Sequence, residues 1–118
     1  MSKKTAHNFD RETQAIFDLA GLSGVPRDEL CELVDLAKGN SKLLRRLAVR
    51  KQFGEPNAYL RGYVMMMGRK YSVDRRCYIP DSYAEELVHR VIADAPPNAV
   101  VLEVGTGCGW IAVTLKLE

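Results

Sequence analysis

Residues 100–115 are where this sequence could do chemistry. Ala99-Val100-Val101-Leu102-Glu103-Val104 is an almost unbroken apolar run with one acid near its end, and Gly105, Gly107 and Gly109 follow at a spacing of two. Glycine adopts backbone angles closed to other residues and lets a ligand lie against the main chain without meeting a Cβ. Ligands of open α/β sheets bind beyond the carboxyl ends of the strands. The G-x-G-x-G spacing is neither the G-x-G-x-x-G of dinucleotide sites nor a P-loop with its lysine. On its own it also suits a simple turn. Set between an apolar strand and a helix start, and preceded by Glu103, it reads as a loop for S-adenosylmethionine. Glu103, Gly105, Thr106, Gly107 and Gly109 are the cofactor-binding candidates.

Other reactive side chains carry less. Cys108 lies in the glycine loop and reads as a small filler rather than a nucleophile. His7 and His89 have no neighbouring acid or cysteine pattern, and His89 falls on the outer face of a predicted helix. Met65, Met66 and Met67 are consecutive, and three successive strand residues cannot face one metal, so they read as packing. Cys31, Cys77 and Cys108 cannot all pair within one chain and are too far apart in sequence for a metal clamp, which suggests reduced thiols. No residue is a candidate catalyst and no metal site is expected.

Positioning the glycine loop requires a strand before it, predicted over 99–104, and a helix after it through Trp110, Ile111, Val113, Thr114 and Leu115. An apolar run of this kind suits a strand buried on both faces of a parallel sheet. Its parallel neighbours are not encoded in these residues, so it is expected to lack partners or to pair with another copy or chain. Upstream, Ser82-Tyr83-Ala84-Glu85 matches a capping box and opens a helix through Leu87, Val88, Val91 and Ile92. Before it, two short strands, 63–67 and 70–73, flank a turn at Gly68-Arg69.

The first half is helical by its periodicity. Residues 1–8 are polar and read as frayed. A helix is predicted over 10–22. A second starts at Pro26, with Asp28 and Glu29 in its first turn, and stops at Gly39-Asn40. A third is capped by Ser41 and ended by Gly54. Three short amphipathic helices read as a small bundle.

Composition bounds these readings. The chain of 118 residues is 47% hydrophobic and 27% charged, the balance of a globular protein. No apolar run approaches the roughly 18 residues that span a bilayer, and no signal peptide is visible, so no membrane partner is expected. The net charge of +2 does not by itself imply nucleic acid. Locally, residues 41–76 carry ten cations against Glu55 and Asp74. This cluster reads either as a solvated face or as a dock for an acidic or RNA-bearing partner. Direct nucleic-acid binding is not favoured, because no aromatic residues interleave as a stacking platform needs.

The run Gly54-Glu55-Pro56-Asn57-Ala58-Tyr59-Leu60-Arg61-Gly62 resembles the G-E-P-x-x-Y-x-x-G signature of HemK-type methyltransferases. The family order continues with a hairpin around Gly68, then Tyr78-Ile79-Pro80, a helix with Glu85-Glu86-Leu87-Val88, and the glycine loop. The resemblance covers roughly residues 45–116. It implies an α/β protein with a small N-terminal helical domain for substrate recognition (1–54), a β-hairpin linker (55–80) and the first helix-strand-loop-helix part of a Rossmann-like methyltransferase domain (81–118). It also implies S-adenosylmethionine as cofactor and methylation of a glutamine side-chain amide in a peptide chain release factor or ribosomal protein, while the reduced thiols suggest a cytoplasmic location. Two alternatives stay open: the same fold acting on a small molecule or nucleic acid base, and a non-catalytic binding module.

There are departures. Asp81-Ser82-Tyr83-Ala84-Glu85 stands where the family continues Arg-Pro-Glu-Thr-Glu, and Glu103 where aspartate is commoner. The family's Asn-Pro-Pro-Tyr motif, which grips the substrate amide, does not occur in these residues. The resemblance is therefore to an N-terminal portion, and the chain as given is expected to be inactive.

Overall fold

A computed structural model of the chain describes residues 8–118. The polar start, with His7, lies outside the described residues. The chain divides into two compact units, with the boundary between Arg61 and Gly62.

The first unit holds α1 (Arg11–Leu19), α2 (Arg27–Ala37), α3 (Ser41–Gln52) and α4 (Asn57–Arg61). Asp10 caps α1 by accepting the Thr13 N–H at 2.7 Å, and that bond holds its carboxyl below the usual range. The helix is shorter than the periodicity suggests. Gly21 is left-handed at φ 67°, which ends the helix and turns Leu22 into the core. Pro26 sits one position before α2 rather than inside it, with Asp28 and Glu29 in the first turn as expected. Lys38 and Gly39, both left-handed, close that helix.

The cap of α3 is Asn40, not Ser41. The Asn40 side-chain oxygen accepts the Leu43 N–H at 3.0 Å, and Ser41 falls inside the first turn. An N-cap oxygen must reach an amide two or three positions on, which Asn40 does from just outside the helix. Ile16, Phe17, Leu22, Leu30, Leu33, Leu44, Leu47 and Leu60 form one buried cluster.

α4 was not anticipated by periodicity. Gly54, at φ 85°, turns the chain out of α3. The Glu55 carboxylate then accepts from Arg50 Nε at 3.0 Å and Nη2 at 2.6 Å. Asn57 donates to the Glu29 carbonyl at 3.1 Å, and Arg61 donates to both Glu32 carboxylate oxygens at 3.0 Å. These bonds strap residues 54–61 onto α2 and α3.

The second unit holds β1 (Tyr63–Met66), β2 (Arg69–Ser72), α5 (Ala84–Asp94) and α6 (Trp110–Leu117). The strands pair antiparallel, Tyr63 opposite Ser72 and Met66 opposite Arg69. The turn is Met67-Gly68, one residue earlier than expected, with φ of 48° and 76°. Two left-handed residues give the primed turn whose twist suits a two-residue hairpin loop. Met65 is exposed and Met66 buried, as strand alternation requires.

The capping box does not form. Tyr83 occupies the cap position of α5 with no side-chain bond, and the Glu85 carboxylate accepts the Met67 N–H at 3.1 Å. The turn's amide has taken the acid that would have capped its own helix.

The strand predicted over 99–104 is also absent. Among the described residues β1 and β2 form the whole sheet, and Val100 and Leu102 are 100% and 88% exposed. A strand is defined by its ladder, and no neighbour is present to build one. The described chain is therefore a mixture of helices and one antiparallel hairpin, consistent with a partial α/β domain.

Candidate functional site

The glycine loop joins residue 104 to α6. Gly105, Gly107 and Gly109 have φ of 75°, 57° and 83°, all in the region that strains residues with a Cβ. A tight turn is closed by the Gly109 N–H donating to the Thr106 carbonyl at 2.9 Å. No heavy atom lies within 4 Å of where a Cβ would stand at Gly105 or Gly107, while at Gly109 the Thr106 Oγ1 lies 3.9 Å away. The loop's backbone is thus open to an approaching molecule. Gly109 leads into α6 without any side-chain cap. Unbonded first-turn N–H groups suit anionic or hydroxyl ligands.

Glu103 is partly buried, and its Oε2 has no hydrogen-bond partner. It lines an open groove of about 260 Å³ with Ala99, Val101, Ala112, Leu115 and Lys116. A buried carboxylate oxygen without a partner is costly unless a ligand or water satisfies it. The other four candidates, Gly105, Thr106, Gly107 and Gly109, form the turn beside this groove rather than its lining. Open glycine backbone, an uncapped helix start and an orphaned carboxylate oxygen together fit a ligand with both donors and acceptors.

Residues distant in sequence hold α6 in place. The Tyr71 hydroxyl and Thr114 Oγ1 lie 2.6 Å apart, both buried. A helical threonine commonly bonds back to its own helix, but here the hydroxyl reaches the hairpin. Arg69 donates through both terminal nitrogens to Glu118 at 3.1 Å. Trp110 is buried at the first turn of α6. Sequence reading missed the Tyr71–Thr114 pair, because nothing local distinguishes that threonine from any other helical one.

The basic cluster is largely neutralised. Arg50 pairs with Glu55, Lys51 with Glu29, Arg61 with Glu32, Arg69 with Glu118 and Arg76 with Asp74. Arg45 lies 3.8 Å from Glu12, and Lys70 sits 4.0 Å above the Tyr63 ring. Four of these acids come from outside residues 41–76, so a local count overstates the free charge. Lys42 and Arg46 make no ion pair with any described residue. Arg76 bonds Asp74 closely enough to hold its carboxyl down to about 2.

His89 is exposed on α5, as read from the sequence. Cys31, Cys77 and Cys108 are partly buried and not in disulfides. Among the described residues no three of His, Cys, Asp and Glu gather to hold a metal, and no helix is long and apolar enough to cross a membrane.

Comparison with known proteins gives a consistent set of relatives. The release factor glutamine methyltransferase of Neisseria gonorrhoeae is 44% identical over 73 residues, 62% of this chain and 27% of that protein. That of Staphylococcus aureus is 35% identical over 69 residues, 58% of this chain and 25% of that protein. That of Bordetella pertussis is 42% identical over 77 residues, 62% of this chain and 28% of that protein. No family model matches the chain. No solved structure matches it either. The chain spans about a quarter of the length of the curated relatives it matches, and over some three fifths of its own length it resembles the HemK-type release factor glutamine methyltransferases.

Proposed function

We propose that this chain is the N-terminal portion of an S-adenosylmethionine-dependent methyltransferase acting on the glutamine side-chain amide of a translation protein, such as a peptide chain release factor. The observation that carries this reading is the ordered series running from Gly54-Glu55-Pro56 to the glycine loop, in a chain whose relatives bear that name. In this reading residues 1–54 recognise the protein substrate, residues 55–80 link, and residues 81–118 begin a Rossmann-like cofactor domain. The setting is the cytoplasm.

S-adenosylmethionine, when bound, supplies the methyl group. Gly105, Thr106, Gly107 and Gly109 offer main chain for close approach, and Glu103 offers the unpartnered oxygen as an acceptor. An amide nitrogen is a poor nucleophile, so the whole enzyme works by orienting it rather than by a strong base. No residue of this chain is a catalyst in that scheme.

The test is transfer of label from S-adenosylmethionine to a release factor. A longer gene product containing this chain should transfer label, whereas the 118-residue chain should transfer none. Failure of the longer product, or transfer by the chain alone, overturns the reading. In the longer product Gly107→Val should weaken cofactor binding at least about tenfold, roughly 1.4 kcal/mol, measured by calorimetry.

A further inference from the structure

The helical unit carries an apolar feature that its own core does not use. Between α1 and α3 runs an open groove of about 240 Å³ with buried Ile16, Ala20 and Ala48 along it. Leu19 and Val49 edge it, exposed by 88% and 48%. Phe53, just past α3, is 83% exposed. Isolated exposed apolar residues are ordinary. Here Leu19 and Val49 border a concavity over a core that is already closed beneath it, and Phe53 follows Val49 one helical turn on.

Helical spacing adds a second observation. At 3.6 residues per turn, Lys42, Arg46, Val49 and Phe53 fall in one row along α3. The row is cationic in its first half and apolar in its second. Lys42 and Arg46 are also cations of the basic cluster that make no ion pair with any described residue. The acids on α1 are engaged, Glu12 with Arg45 and Asp18 with the Gln14 amide.

We infer that the α1–α3 face docks an amphipathic segment of a protein partner. Its apolar side chains enter the groove beside Leu19 and Val49 and extend over exposed Phe53, and its acidic residues lie over Lys42 and Arg46. Burying one face of a helix in a groove is a common mode of peptide recognition. The identification of that partner as the protein substrate rests on the function proposed above.

The test is a titration of the isotopically labelled 118-residue chain with an unlabelled peptide chain release factor, followed by amide NMR. Shifts or broadening should concentrate at Leu19, Val49 and Phe53. Phe53→Ser should weaken binding about tenfold or more, as loss of an interface anchor does. The double variant Lys42→Glu/Arg46→Glu should weaken it similarly and remove most of its salt dependence. All three positions are exposed, so far-UV spectra should be unchanged. Absence of binding, or unchanged affinity in the variants, overturns the docking face. So does self-association abolished by Phe53→Ser, which would make the occupant a second copy. Competition by a single-stranded RNA oligonucleotide for these same residues overturns it too. The methyl-transfer assay is a separate readout. Methylation without this docking removes only the face, and docking without methylation removes only the enzymatic reading.

Discussion

The two units solve the burial problem differently. In the helical unit, caps, turns and straps lie near the helices they serve, and Leu33 is fully buried at the centre of the cluster. In the second unit Leu87, Ile92, Val100, Val101, Leu102, Val104, Val113 and Leu117 are all exposed. A helix bundle can close over a short stretch of sequence, because each helix satisfies its own backbone. A sheet cannot, because each strand needs neighbours that the chain must bring from elsewhere. Among the described residues of the second unit, one two-stranded sheet leaves these apolar side chains in contact with solvent.

The hardest test of this contrast compares two leucines. Leu33→Ala should destabilise the helical unit by about 2–5 kcal/mol through the cavity it leaves. Leu102→Ala should stay within about 0.5 kcal/mol, because little is lost from an exposed site. Denaturant unfolding followed by far-UV circular dichroism measures both. A large loss at Leu102 would mean that the apolar run is buried after all.

The next test sharpens what does hold the second unit. Tyr71→Phe alone, or Thr114→Val alone, strands a buried hydroxyl or removes its partner, at about 1–3 kcal/mol each. The double variant should cost clearly less than the two together. Fluorescence of the sole tryptophan, Trp110, reports unfolding of this unit. Additive losses would remove the pair as a coupled anchor.

A smaller effect tests the local closure of the bundle. Asn40→Ala should cost about 1 kcal/mol, with Ser41→Ala near neutral. The reverse order in thermal melts would return the cap to Ser41.

The smallest concerns Asp74, whose carboxyl should titrate near 2 rather than its ordinary 3.8 because Arg76 bonds the charged form. The folded value lies below the unfolded one. The contribution is therefore present above pH 3.8 and fades as pH falls through about 2. Carboxyl NMR should follow this, and Arg76→Gln should move the titration back upward.

Legibility followed the same division. The three helices, the hairpin and the helix at 84–94 were readable, because apolar period and glycine punctuation are local signals. Caps were less so: Asn40 and Ser41 are adjacent and equally suitable by type, and only the backbone selects one. Ser82 and Glu85 have the spacing of a capping box, yet Glu85 is drawn to an amide 18 residues away. The apolar run at 99–104 has the composition of a strand, but pairing is a property of two segments, and no described segment pairs with it. Of the candidate site, the left-handed glycines are legible because few other residues tolerate those angles. The orphaned Glu103 oxygen is not, since burial of a single atom leaves no trace in spacing.

The Tyr71–Thr114 bond also sets an order in time. Its two residues are 43 apart in the chain. At translation rates of about 5–20 residues per second, Tyr71 emerges some seconds before the helix that receives its hydroxyl. The helical unit closes with Arg61 and does not wait. On the ribosome the bundle should thus be finished while the hairpin is still unanchored, leaving the nascent second unit as the interval in which a chaperone or a protease would find this polypeptide.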